Sequence, residues 1–220
     1  MSIGGRLAFN DCGETANTHI ALFDYQPAAL ICEVRNVRVS KSPDAMGKFR
    51  SRSSGLVIDC EGGYFAGDAT GGAVFDKQGK KIKDFPDDGS SKGLETSHLS
   101  NFLASVRSRK AGDLAAEALQ GHHSTACCHM VNVSYRLGKQ ARPEVIRETI
   151  QANRDLSDAF ERCREYLREN EVDLDTTPAV LGPWVTFDPK QERFVNDLAD
   201  QANALSQREY RQPFVVPKIA

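Results

Sequence analysis

Five polar residues that could act together recur along the segment 121–138, GHHSTACCHMVNVSYRLG. At about 100° per residue His122, Thr125, His129, Asn132 and Arg136 fall at i, i+3, i+7, i+10 and i+14, within one narrow arc of a helix surface. Two imidazoles, a hydroxyl, an amide and a guanidinium suit a partly enclosed surface with fixed hydrogen-bond partners. The arc holds no Lys, Glu, Asp or Gln, the long solvated side chains that a face turned to bulk water carries. The spacing predicts a helix that looks onto a site or another domain. The plainer alternative is a buried interface helix whose polar groups are satisfied.

Other candidate chemistry is sparser. Asp11-Cys12-Gly13-Glu14-Thr15-Ala16-Asn17-Thr18 reads as a polar loop between two strands, able to present Asp11 and Glu14, although a structural turn explains it equally well. His122, His123 and His129 lack the i, i+4 spacing of the helical zinc motif and have no nearby carboxylate, so no metal is expected. No G-x-G-x-x-G lies between a strand and a helix. Gly79-Lys80-Lys81 lacks the glycine spacing and the Ser/Thr of a phosphate loop, so no cofactor-binding residue is assigned. Cys128 reads as a small packing residue, because a nucleophilic thiol needs a base and a lowered pKa. No catalytic residue is assigned within this chain.

Composition narrows the partners. The 220 residues carry 28 Lys and Arg against 30 Asp and Glu, a formal net charge of -2 with the signs interspersed. There is no basic field to hold nucleic acid or an anionic membrane. Cys12, Cys32, Cys60, Cys127, Cys128 and Cys163 show no Cys-x-x-Cys spacing, and they read as reduced, mostly buried thiols of a cytoplasmic protein. No signal-peptide pattern and no membrane-length apolar run is present, with export of a longer parent left open.

The elements that must position these residues are strands first and helices after. Arg6 to Phe9, His19 to Tyr25, Ala29 to Arg35, Leu56 to Cys60, Tyr64 to Ala66, Ala73 to Asp76 and Lys81 to Phe85 read as strands. Gln26-Pro27-Ala28 reads as one hairpin and Asp76 to Gly79 as another, Gly79 taking a left-handed position. Ser40 to Ser54 and Pro86 to Lys92 read as exposed loops. Leu99, Phe102, Leu103 and Val106 form the apolar stripe of a helix that Ser97 can cap; the segment 121–137 follows, ended by Gly138. Pro143 to Asn170 reads as one long amphipathic helix, and Asp197 to Leu205 as a short one before a Pro-containing tail. This order predicts an α+β fold, a mainly antiparallel open sheet with helices on one face. It also predicts one domain over 1–220, with 171–220 as an extended C-terminal appendage. In His19 to Tyr25, Ile20 and Leu22 point one way and Ala21, Phe23 and Tyr25 the other, so both faces want cover. A second subunit is expected on the latter face.

GGRLAFNDCGETANTHIALFDY at 4–25, CEGGYFAG at 60–67, GGAVFDKQGKKIKDF at 71–85, HLSNFLASVRSRK at 98–110, GHHSTACCHMVNVSYRLG at 121–138 and GPWVTFDPKQERFVND at 182–197 follow one another in a familiar order. In that order they resemble the C-terminal domain of bacterial Gfo/Idh/MocA oxidoreductases, in the branch common in planctomycete-like bacteria. The resemblance implies a two-domain enzyme in which a Rossmann domain binds NAD(P) and this domain supplies a substrate wall and an oligomer face. Such enzymes move a hydride between nicotinamide and a sugar or polyol carbon. His122, Ser124, Cys128, His129, Asn132, Tyr135 and Arg136 match the branch's pattern G-H-x-S-x-x-x-C-H-x-x-N-x-x-Y-R. The Gly-rich dinucleotide turn, the Glu-Lys-Pro segment with the family's Lys and the His-bearing helix after it are absent from the chain. The expectation is a substrate-binding and assembly domain, silent by itself, binding no cofactor alone and forming a homo-oligomer through its sheet. Its substrate or interdomain contacts fall to His122, His129, Asn132, Arg136 and Glu14. A stand-alone sugar-binding or scaffold protein is the alternative, and an enzyme built on His129 and Glu14 a third.

Overall fold

Short runs of β-branched and aromatic residues become strands and the three- and four-residue periods become helices, giving an α+β fold in the computed structural model, which describes residues 1–37, 47–87, 93–208 and 210–215. The strands are β1 (Ser2–Gly5), β2 (Thr18–Phe23), β3 (Leu30–Arg35), β4 (Leu56–Cys60), β5 (Gly63–Asp68), β6 (Gly71–Asp76), β7 (Lys81–Pro86), β8 (Lys139–Ala141), β9 (Ala179–Gly182), β10 (Phe187–Asp188) and β11 (Arg193–Phe194). The helices are α1 (Leu94–Ser108), α2 (Ala118–Leu137), α3 (Pro143–Ile150), α4 (Arg154–Arg168) and α5 (Ala199–Ser206). None of the described helices is long and apolar enough to cross a membrane. The chain divides into two units, Met1–Ser40 with His123–Ala220, and Lys41–His122.

The first unit holds an antiparallel sheet in the order β3-β2-β1-β9-β8. Alternation along β2 sends Ile20 and Leu22 to one face, where they join Ile3 and Leu7 in a core with Ile146, Leu156, Phe160 and Leu167 of α3 and α4. Each such side chain, fully buried, contributes about 1.5 to 3 kcal/mol. The charges on this face are paired: Arg162 donates to Glu33 Oε1 at 2.6 Å, and the Arg35 guanidinium lies 5.3 Å from the Tyr166 ring.

The opposite face packs against α2. Ser134 Oγ donates to Pro183 O at 2.8 Å and lies 3.2 Å from Ser2 Oγ. A Cβ on Gly182 would fall 2.5 Å from both hydroxyls, so the helix can lie this close only because β9 carries no side chain there. Val133, Phe194 and Ala202 form a second core beside this contact.

Several expectations are revised. The segment 6–9 is not a strand: Ala8 has φ 63, and Arg6 turns to Asp11 instead, so the extended stretch lies earlier, at β1. The segment 143–170 is two helices, because Asn153 caps α4 by accepting a hydrogen bond from Leu156 N at 2.9 Å. The residues 171–220 are more than an appendage, since β9 sits inside the five-stranded sheet and Phe194 and Ala202 are buried. Helices also cover both sheet faces, α3 and α4 on one and α2 on part of the other. The thiols are mostly exposed: only Cys163 is buried, and the rest sit on a loop, on strands or on the flank of α2.

In the second unit β4-β5-β6-β7 form a separate four-stranded antiparallel meander, where one continuous sheet was expected. Gly79 takes φ 81 in the turn before β7, and the register slips between Val74 and Phe75, the bulged hairpin read from the sequence. The α1 N-terminus is capped by Gly93, and Ser97 lies inside the helix, where its amide donates to Gly93 O. The apolar stripe of α1 is uncovered, with Leu99 61%, Phe102 53% and Leu103 50% exposed. Parts of the expected loops, 40–46 and 88–92, lie outside the described residues.

Candidate functional site: the α2 face of the first unit

Two contacts fix the line of α2 across β2. Tyr25 Oη lies 3.7 Å from Cys127 Sγ near one end, and the His19 and Tyr135 rings meet at 5.3 Å toward the other. The helix therefore runs antiparallel to β2. Cys127, Val131 and Tyr135 recur at i, i+4 and i+8 toward the sheet, and Met130, Val133 and Leu137 turn toward the second core.

What remains is the outer face, and it is the polar arc. Thr125, His129 and Arg136 are exposed and Asn132 is half-buried, so in this chain the stripe is open rather than enclosed. His122 is exposed as well, and the division between the two units falls immediately after it. Glu14 is exposed on the loop between β1 and β2; among the described residues no hydrogen bond or ion pair joins it to the stripe. The loop is built by its other carboxylate. Arg6 grips both oxygens of Asp11 and donates to Thr15 O at 3.2 Å, while Gly13 N donates to Asp11 Oδ1 at 3.0 Å. The Arg6 hydrogen bonds above all, then the Gly13 amide, pull the Asp11 carboxyl down to about 2. Asn17 completes the loop, accepting from Leu7 N at 2.9 Å and donating to Leu7 O at 2.8 Å. Of the two loop carboxylates, only Glu14 is left for an external partner.

Sequence reasoning missed His19. Burial first, and then the charge of the Met1 amine, lowers its pKa to about 4, so the ring is neutral near pH 7. Its Nε2 is buried without a hydrogen-bond partner among the described residues. The signal was its place in β2, in step with Ala21 and Phe23 and hence on the α2 side.

Every strand pair among the described residues is antiparallel, whereas the doubly wound sheet that anchors a pyrophosphate is parallel. Among the described residues no group of three or more His, Cys, Asp and Glu is placed to hold a metal ion. No family model, no curated protein and no solved structure matches the chain.

Proposed function

We propose that this chain is a substrate-binding and assembly domain of an NAD(P)-dependent oxidoreductase of the Gfo/Idh/MocA type, acting on a sugar or polyol and silent without a nucleotide-binding domain. The observation that carries the reading is the outer face of α2. The helix spends two sides on the sheet and on the Val133 core and still leaves His129, Asn132 and Arg136 on a rigid, open arc. Such an arc, on a helix packed from Cys127 to Leu137, suits hydroxyl groups that need paired donors and acceptors in fixed places. The order of the sequence motifs supports the family, and the antiparallel topology agrees with a chain that leaves the cofactor to another domain.

A stand-alone sugar-binding protein is the second reading, favoured by the same exposure of the arc. Calorimetric titration with NAD and NADP, and then with inositol and glucose, tests both. The domain reading expects no saturable isotherm with either dinucleotide, and a saturable one rejects it. Tight binding of a polyol by the isolated chain, lost in His129→Ala, would replace the first reading with the second.

A further inference from the structure

The flank of α2 that faces the sheet edge carries a thiol. With Cys127 over Tyr25 and Tyr135 over His19, successive helix positions place Tyr135 and Cys128 on the same flank, about 80° and 100° around from Cys127. The opposite flank, with Met130, Val133 and Leu137, is taken by the second core beyond β9. Cys128 therefore lies on the β3 side. On β3, Cys32 is the residue opposite Ala21, which puts its side chain on the α2 face of the sheet, and both cysteines are exposed. That the Cys128 charge helps to raise the Cys32 pKa, after burial and ahead of Glu33, agrees with their closeness.

We propose that Cys32 and Cys128 form a dithiol site that a peroxide closes to a disulfide, clamping α2 to the edge strand β3. Cys128, the exposed thiol on the helix flank, acts first: its thiolate attacks one peroxide oxygen, the O–O bond breaks, and the departing hydroxide takes a proton and leaves as water. The product is a sulfenic acid on Cys128. The Cys32 thiolate then displaces hydroxide from that sulfur; the S–S bond forms and a second water leaves. Two thiols lose two electrons and one hydrogen peroxide becomes two waters. Cys127 does not compete, since it lies over Tyr25 on the sheet-facing side of the helix and not on the β3 flank.

The test is peptide mapping of the full chain under non-reducing conditions after equimolar hydrogen peroxide. A Cys32 to Cys128 link is expected, reversed by dithiothreitol, abolished in Cys32→Ser and in Cys128→Ser and retained in Cys127→Ser. The oxidised wild-type protein should melt several degrees higher, because the link closes a loop of about a hundred residues. A link through Cys127, a link between chains, Cys32 left reduced while Cys128 passes to the sulfinic acid, or an unchanged Tm would each overturn the proposal. The mapping reads the wild-type protein, so it decides even if a Ser variant fails to fold.

Discussion

The His19 imidazole meets the Tyr135 ring edge to face, with centroids 5.3 Å apart and planes at 66°. This pair joins β2 to α2 through a titratable ring that the fold holds neutral, with its pKa lowered to about 4 by burial. An unfolded chain releases that constraint and takes up a proton near pH 6.5. Between those values the unfolded state binds more protons than the folded one, so this contribution to stability is complete above about pH 6.5. It is lost as the pH falls toward 4, by at most about 3 kcal/mol. Denaturant melts between pH 7 and pH 4 should show that slope, and His19→Gln should flatten it. An unchanged slope in the variant would assign the acid lability to other groups.

The core of the first unit and the apolar stripe of α1 make a paired comparison. Phe160 is 1% exposed among Ile146, Leu156 and Leu167, and Phe160→Ala should cost about 3 to 5 kcal/mol in urea melts. Leu99→Ala removes a side chain that already lies in water, so its cost should stay within about 0.5 kcal/mol. A large loss on Leu99→Ala would mean that something covers α1 in solution.

The assembly role proposed for the sheet places the interface where α2 stops. Leu30 and Val34 of β3 share the face of Ala21 and Phe23 and remain exposed, as does Tyr25, which stacks on Phe23 at 5.7 Å. Covering that strip contributes about 25 cal/mol per Å² of apolar area before the entropy of association is subtracted. Val34→Asp, at a half-exposed position, should shift a sedimenting oligomer toward monomer, and Phe23→Asp should do so more strongly. A parent chain that sediments as a monomer at tens of micromolar rejects the interface.

Much of this was legible in the residues themselves. Leu56–Cys60 is a strand with the bounds the sequence implied, and α2 begins three residues before the segment that carries the polar arc. What escaped the pattern was set by tertiary contact. Ser2–Gly5 has a single β-branched residue and no alternation, yet it is central, because Ser2 and Gly4 are small enough for α2 and β2 to approach. The break between α3 and α4 hid behind a continuous amphipathic period and rests on the side chain of Asn153. The openness of the arc could not be read from residue types, since His, Thr and Asn serve equally on an enclosed face and on an open one.

The last expectation separates the outer face of α2 from its inner one. His129 is exposed and Asn132 is half-buried, and neither side chain makes a hydrogen bond among the described residues, so removing either leaves no described partner unpaired. His129→Ala and Asn132→Ala should each change stability by less than about 0.5 kcal/mol. Ser134, on the same helix, is 1% exposed and bonded to Pro183 O and Ser2 Oγ. Ser134→Ala removes a buried hydroxyl that bonds to that part-buried carbonyl and to Ser2 Oγ, and should cost about 1 to 3 kcal/mol. Urea melts of the three variants measure the difference. If His129→Ala proves as costly as Ser134→Ala, the arc belongs to the structural hydrogen bonding of this unit, and the site proposed on the outer face of α2 falls with it.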